Sequence, residues 1–99
     1  MDLLKMQKEI YQNKVSKGFN VVNIEKEFCF LYGEVSEAYE AYREKKDDLG
    51  EELADVAIFL LGLSEILGFD LGEEILKKHE KNKKRKYKVI NGVTTRIDV

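Results

Sequence analysis

The sequence has no proline, one cysteine and one histidine among its 99 residues, and each scarcity removes a class of explanation. Cys29 alone cannot close an intrachain disulfide. His79 is preceded three residues earlier by Leu76, so the Glu-x-x-His motif of di-iron helical bundles is missing. No apolar run approaches the roughly 20 residues that cross a bilayer; the longest, Val56 to Leu63, reads as core, and no membrane partner is expected. The first helix-forming segment is charged and amphipathic where a signal peptide would be apolar, so a cytoplasmic protein is expected. Neither charge sign dominates: a net charge of -2 gives no overall attraction to nucleic acid, and no nucleic-acid partner is expected. With no proline-rich linker, repeat or low-complexity tract, residues 1–99 read as one domain, a helical core over about 2–86 and a hairpin tail over 87–99.

What is present is 43% hydrophobic and 36% charged residues, a composition that folds. A domain this short buries only about two-thirds of the surface its unfolded chain exposes, so self-association, as a homodimer or homotetramer, is expected from size alone. The charge is unevenly spread. Acids concentrate between Glu34 and Glu74, and the stretch from Lys77 to Lys88 is almost continuously basic.

Four helical segments emerge. The first runs from about Asp2 to Lys17 with Gly18 at its end. The second starts after Asn23, a good N-cap, and carries Ile24, Phe28, Leu31, Val35, Ala38 and Tyr42 at alternating four- and three-residue steps, a stripe expected to be buried. Asp48 with Glu51 forms an expected capping box for the third, which places Leu49, Leu53, Val56, Leu60, Leu63 and Leu67 on one stripe and more apolar residues on its other faces. A helix apolar all round is buried on all sides, and in so short a chain a second subunit is the simplest cover. Gly68 ends it, and Asp70 can cap a fourth helix from Leu71 to about Arg85. Beyond it, β-branched residues flank Asn91-Gly92, the strongest short signal for a two-residue hairpin turn.

Chemistry concentrates in two carboxylate pairs. Glu34 and Glu37 are three apart on the second segment, and Glu52 and Asp55 three apart on the third, so each pair projects from one face. Such pairs are abundant on solvated helices, but here each line continues into apolar residues, Phe30 and Ala41 for the first, Phe59 and Ile66 for the second. Folding the two helices into a hairpin brings Glu37 and Asp55 to nearly the same height, with Glu34 and Glu52 about one turn away along their helices. Four carboxylates without histidine or cysteine make a hard oxygen site suited to Mg²⁺, Mn²⁺ or Ca²⁺. Calcium-loop spacing is absent, so Mg²⁺ leads, with Mn²⁺ as a substitute.

With these motifs the sequence resembles the MazG-like all-α nucleotide pyrophosphohydrolases, a group that includes helical dUTPases and dCTPases. The resemblance rests on Glu34-Val-Ser-Glu37 and Glu52-Leu-Ala-Asp55 with fourteen residues between them. It extends from Gly18-Phe19 through Leu67-Gly68-Phe69-Asp70-Leu71 to Asn82-Lys83-Lys84-Arg85-Lys86-Tyr87, leaving the tail hairpin outside the shared core. It implies a four-helix bundle-like, all-α core assembled as a homo-oligomer. The implied reaction is Mg²⁺-dependent hydrolysis of nucleoside triphosphates, among them aberrant or surplus deoxynucleotides, to the monophosphate and pyrophosphate. By the same resemblance Glu34 and Glu37 are the catalytic pair, Glu34 helping to deprotonate or position the attacking water, and all four acids hold metal. Asn82 and Arg85 fall at phosphate-binding positions, with Lys78 or Lys81 beside them, and Phe19 stands where an aromatic stacks on the base. Each has a plainer alternative, since basic runs favour helix C-termini and aromatics favour cores.

Two other readings compete. In one, the chain is a small helical dimer serving as a non-enzymatic interaction module, its acids merely solvated. In the other, the Lys77 to Lys88 run binds nucleic acid with steep salt dependence, which the balanced charge and acidic centre oppose. Neither explains two carboxylate pairs on apolar stripes of consecutive helices.

Overall fold

Helices form where periodicity and capping predict them: α1 (Leu3–Ser16), α2 (Ile24–Arg43), α3 (Leu49–Leu67) and α4 (Leu71–Lys84), followed by strands β1 (Tyr87–Ile90) and β2 (Val93–Arg96). The computed structural model describes residues 1–98; Val99, counted in the expected tail, lies outside the described residues. Asp2, Asn23 and Asp70 take extended backbone and accept from the N–H groups of Lys5, Lys26 and Glu73, satisfying donors that the first turn leaves free. Asp48 does not: its ψ of 14° departs from the extended N-cap geometry and its side chain makes no cap hydrogen bond. The expected capping box is therefore corrected to an uncapped start.

Three helices end alike. Gly18, Lys45 and Gly68 sit in the left-handed region, and the next residue's N–H, from Phe19, Lys46 and Phe69, donates back to Lys14, Ala41 and Ser64 at 2.9 Å each, the six-to-one bond of a Schellman cap. Each cap thus aims the residue that follows it, Phe19 among them.

α3 is the centre. It packs against α2 across a short loop and against α1, while α4 touches mainly α1. One buried amide ties the α3–α4 corner: the Gln7 side chain, 1% exposed, donates to Glu65 Oε1 at 2.9 Å and to the Phe69 carbonyl at 2.6 Å, and accepts from Leu71 N–H at 3.1 Å. All its capacity near the corner is used, so removing it would orphan buried groups.

The stripe expected to be core on α2 is split. Ile24, Glu27, Leu31, Glu34, Ala38 and Ala41 form the covered face, whereas Phe28, Val35 and Tyr42 are 39%, 50% and 66% exposed and align with exposed Tyr32 and Tyr39. The same division runs along α3, where Leu49, Glu52, Val56, Phe59 and Leu63 turn inward and Leu53, Leu60 and Leu67 face out. The reason is geometric. Residues seven apart keep one face while a four-residue step turns the helix by about 40°, so a stripe mixing both series is too wide for one neighbour to cover.

In β1 and β2, Ile90 pairs with Val93 around Asn91 and Gly92, both at positive φ as a two-residue hairpin turn requires. No residue of α4, β1 or β2 is buried. The radius of gyration is 17.1 Å, against about 13 Å for a compact chain of 100 residues, so these elements project from the three-helix centre.

Candidate metal centre

The inner stripes of α2 and α3 deliver acids to one place. Carboxylate oxygens of Glu34, Glu37 and Glu52 all lie within 4.8 Å of one another, Glu34 and Glu52 half-buried and Glu37 exposed. Asp55 is outside this trio. It sits about 60° farther round α3 than Glu52 and is exposed, yet near enough that its charge raises the proton affinity of both Glu34 and Glu52.

Electrostatics at the trio are unfavourable as they stand. Burial, then the charges of Glu37, Asp55 and Glu52, hold the Glu34 carboxyl above the usual carboxylate range. Burial, then Asp48, Glu37 and Asp55, does the same to Glu52, against a small opposing effect of Lys46. Among the described residues no lysine or arginine pairs with any of the four acids. Glu52 Oε2 is buried and has no hydrogen-bond partner, a costly state for a carboxylate. Like charges drawn together, an oxygen-only donor set and an orphaned buried oxygen are what a hard divalent cation would relieve.

Beside the acids lies an aromatic chamber. Phe30, one turn before Glu34, meets Phe59, one turn after Asp55, edge to face with ring centres 6.1 Å apart. Phe19, aimed by the Gly18 cap and 57% exposed, completes two adjoining cavities of about 340 Å³ and about 300 Å³, within the range of small-molecule sites. Phe19 thus shares a cavity with Phe30 and Phe59, each one helical turn from an acid of the set.

The expected phosphate contacts lie elsewhere. Lys78 and Lys81 line an exposed hollow on α4 itself, Asn82 is exposed, and Arg85 stands half-buried at the helix end. None of them borders the aromatic cavities, because α4 leans on α1 and not on the α2–α3 pair.

Sequence reasoning passed over one feature of the chamber. Lys14 and Glu27 form an ion pair there, with Glu27 1% and Lys14 9% exposed. The available signal was that Glu27 precedes Glu34 by seven residues, on the same helix face.

The model of the MazG-like family matches residues 17–97. The matched span includes Phe19, all four acids, α4 and both strands, so the hairpin, expected outside the shared core, falls within it, while the whole of α1 precedes it. No curated protein and no solved structure matches the chain closely enough to count as similar.

Proposed function

The chain belongs to the MazG-like family, whose members are generally nucleoside triphosphate pyrophosphohydrolases, and we propose that it hydrolyses nucleoside triphosphates to the monophosphate and pyrophosphate, aberrant or surplus deoxynucleotides among them. The observation that carries this reading is the trio of Glu34, Glu37 and Glu52 with the unpartnered Glu52 Oε2 inside it. Glu34, Glu37, Glu52 and Asp55 hold Mg²⁺, for which Mn²⁺ substitutes; the family is typically metal-dependent. When bound, the ion neutralises the triphosphate and lowers the pKa of a water directed at the α-phosphorus. Glu34, with Glu37 beside it, is suited by its place in the cluster to take that water's proton.

Phe19 stacks on the base from the rim of the chamber. Lys78, Asn82 and Arg85 take the phosphates, and since α4 holds them away from the trio in one chain, a second copy of the chain supplies them. The outer stripes argue for that copy. Phe28, Tyr32, Val35, Tyr39 and Tyr42 on α2 and Leu53, Leu60 and Leu67 on α3 are exposed, more apolar surface than monomers usually show, and Val35, Tyr39, Tyr42, Leu49 and Leu53 together border a hollow of about 330 Å³. A homodimer or homotetramer closed over this face would cover what the fold leaves open.

The test is a panel of ribo- and deoxynucleoside triphosphates with Mg²⁺, scoring pyrophosphate against orthophosphate. Pyrophosphate as first product is expected. Orthophosphate would overturn the reaction, and no turnover at all would favour the non-enzymatic helical dimer.

A further inference from the structure

The buried ion pair beside the chamber has no role in metal binding, and its construction is costly. Two charges withdrawn from water stabilise a fold little compared with apolar residues of the same volume. The surroundings are nonetheless shaped to hold them. A Cβ on Gly62 would come within 3.3 Å of Ile10 Cγ2 and 3.4 Å of Lys14 Cδ, so a glycine in the middle of α3, at about 1 kcal/mol of helix propensity relative to alanine, leaves room for the Lys14 stem to lie across it.

Hydrogen bonding around the pair is one-sided. Glu27 Oε1 accepts from Lys14 Nζ, and Glu27 Oε2 accepts from Asn20 Nδ2 at 3.1 Å. Asn20 Nδ2 also donates to the Asn23 carbonyl, and Asn20 Oδ1 accepts from the Asn23 N–H. Both oxygens of Glu27 and the amide of Asn20 are therefore engaged. Lys14 keeps unused N–H donors, for an ammonium has three and Glu27 is its one hydrogen-bond acceptor among the described residues. Its Nζ stands 4.5 Å from the centre of the Phe59 ring, and it borders both cavities. The remaining polar residues of the larger cavity, Glu9 and Asn13, are on the exposed surface of α1.

Resting on the reading above, in which a base enters this chamber with its phosphates toward the acids, we propose that Lys14 is the specificity-determining residue. Held by Glu27 and Asn20, it donates to the exocyclic oxygen of a keto base and selects 6-oxopurine and 4-oxopyrimidine nucleotides over their 6-amino and 4-amino counterparts. The base's exocyclic edge is the end remote from the sugar, and so the end that reaches inward. An ammonium carries only donors, so it complements a carbonyl and opposes an amino group. A site built to hydrogen-bond one group rejects the analogue lacking it, because the buried polar atom is then left unpaired.

The experiment compares kcat/KM for dGTP against dATP and for dUTP against dCTP, in the wild type and in Lys14→Met/Glu27→Gln, a double change that keeps the side-chain volumes and strands no buried charge. Binding of the corresponding monophosphates without metal is measured alongside. The wild type should favour the keto member of each pair by about 10- to 100-fold, as a charged hydrogen bond implies, and the double variant should bring both ratios toward one. A merely structural ion pair would lower all four substrates together and leave the ratios standing, which would overturn the proposal, as would an amino preference in the wild type. If no triphosphate is cleaved but the monophosphates still bind with the keto preference, the assigned reaction fails and the role of Lys14 stands. If neither is seen, both fall.

Discussion

The inner and outer stripes of the α2–α3 pair invert the usual rule for surfaces. The inner one carries Glu27, Glu34 and Glu52 into half- or fully buried positions, while the outer one leaves Tyr32, Tyr39, Tyr42 and Leu53 more than half exposed. Folding energy does not favour charge inside and apolar surface outside. The inversion therefore points away from the isolated chain. On the function proposed above, a cation would neutralise the inner stripe and a second copy of the chain would cover the outer one. The two also differ in kind, since a charged cluster is relieved only by an opposite charge at short range, whereas an apolar face is relieved by any surface that excludes water.

The comparison breaks most sharply at the inner stripe. Glu37→Gln should reduce Mg²⁺-dependent pyrophosphate release by about 100-fold or more, since a bound metal contributes several kcal/mol of charge stabilisation; unchanged turnover would show that the trio is not the centre. The next effect in size belongs to the outer stripe. Leu53→Glu puts a charge beside the apolar hollow, and at the centre of an interface it should cost about 2 kcal/mol or more, roughly a 30-fold weaker association. Sedimentation velocity reads this as a shift to monomer, and turnover should fall with it if α4 of the second copy supplies phosphate contacts.

A smaller effect separates the stripes by pH. Because the Glu34 and Glu52 carboxyls are raised above their ordinary value of 4.5, unfolded chains lose these protons before folded ones do as pH climbs. The folded state then binds more protons, so its stability without metal should decline as pH rises from 4.5 toward neutrality. Added Mg²⁺ should cancel the decline, with the melting temperature as readout. Glu52→Gln should melt higher than the wild type in chelator and gain nothing from Mg²⁺. A melting temperature that ignores both pH and Mg²⁺ would mean that the acids are simply solvated. Smallest of all is the projecting tail: ending the chain after Lys86 removes only exposed strands and should change helical stability by no more than about 0.5 kcal/mol, seen as an unaltered thermal transition by circular dichroism.

Local rules made much of this legible in advance. Asn23, Asp70, Gly18, Gly68 and Asn91-Gly92 act where their chemistry says they should, because caps and turns are satisfied by groups within a few residues in the chain. Glu34, Glu37 and Glu52 were recognisable as a set because helical spacing and one short loop suffice to bring them together. Asp48 was misjudged through a single backbone angle, and the broad stripe on α2 through the assumption that one neighbour covers it.

The sequence by itself determined where helices begin and end, which acids share a face, and that the chain has more apolar surface than one copy can hide. Only the tertiary structure decided which half of each stripe turns inward, that Asp55 stands apart from the other three acids, that α4 carries Lys78, Asn82 and Arg85 away from them, and that Lys14 crosses Gly62 to meet Glu27. Periodicity fixes the angle of a side chain about its own axis, but what that side chain meets depends on how neighbouring axes approach, and that is settled by packing among residues far apart in the chain.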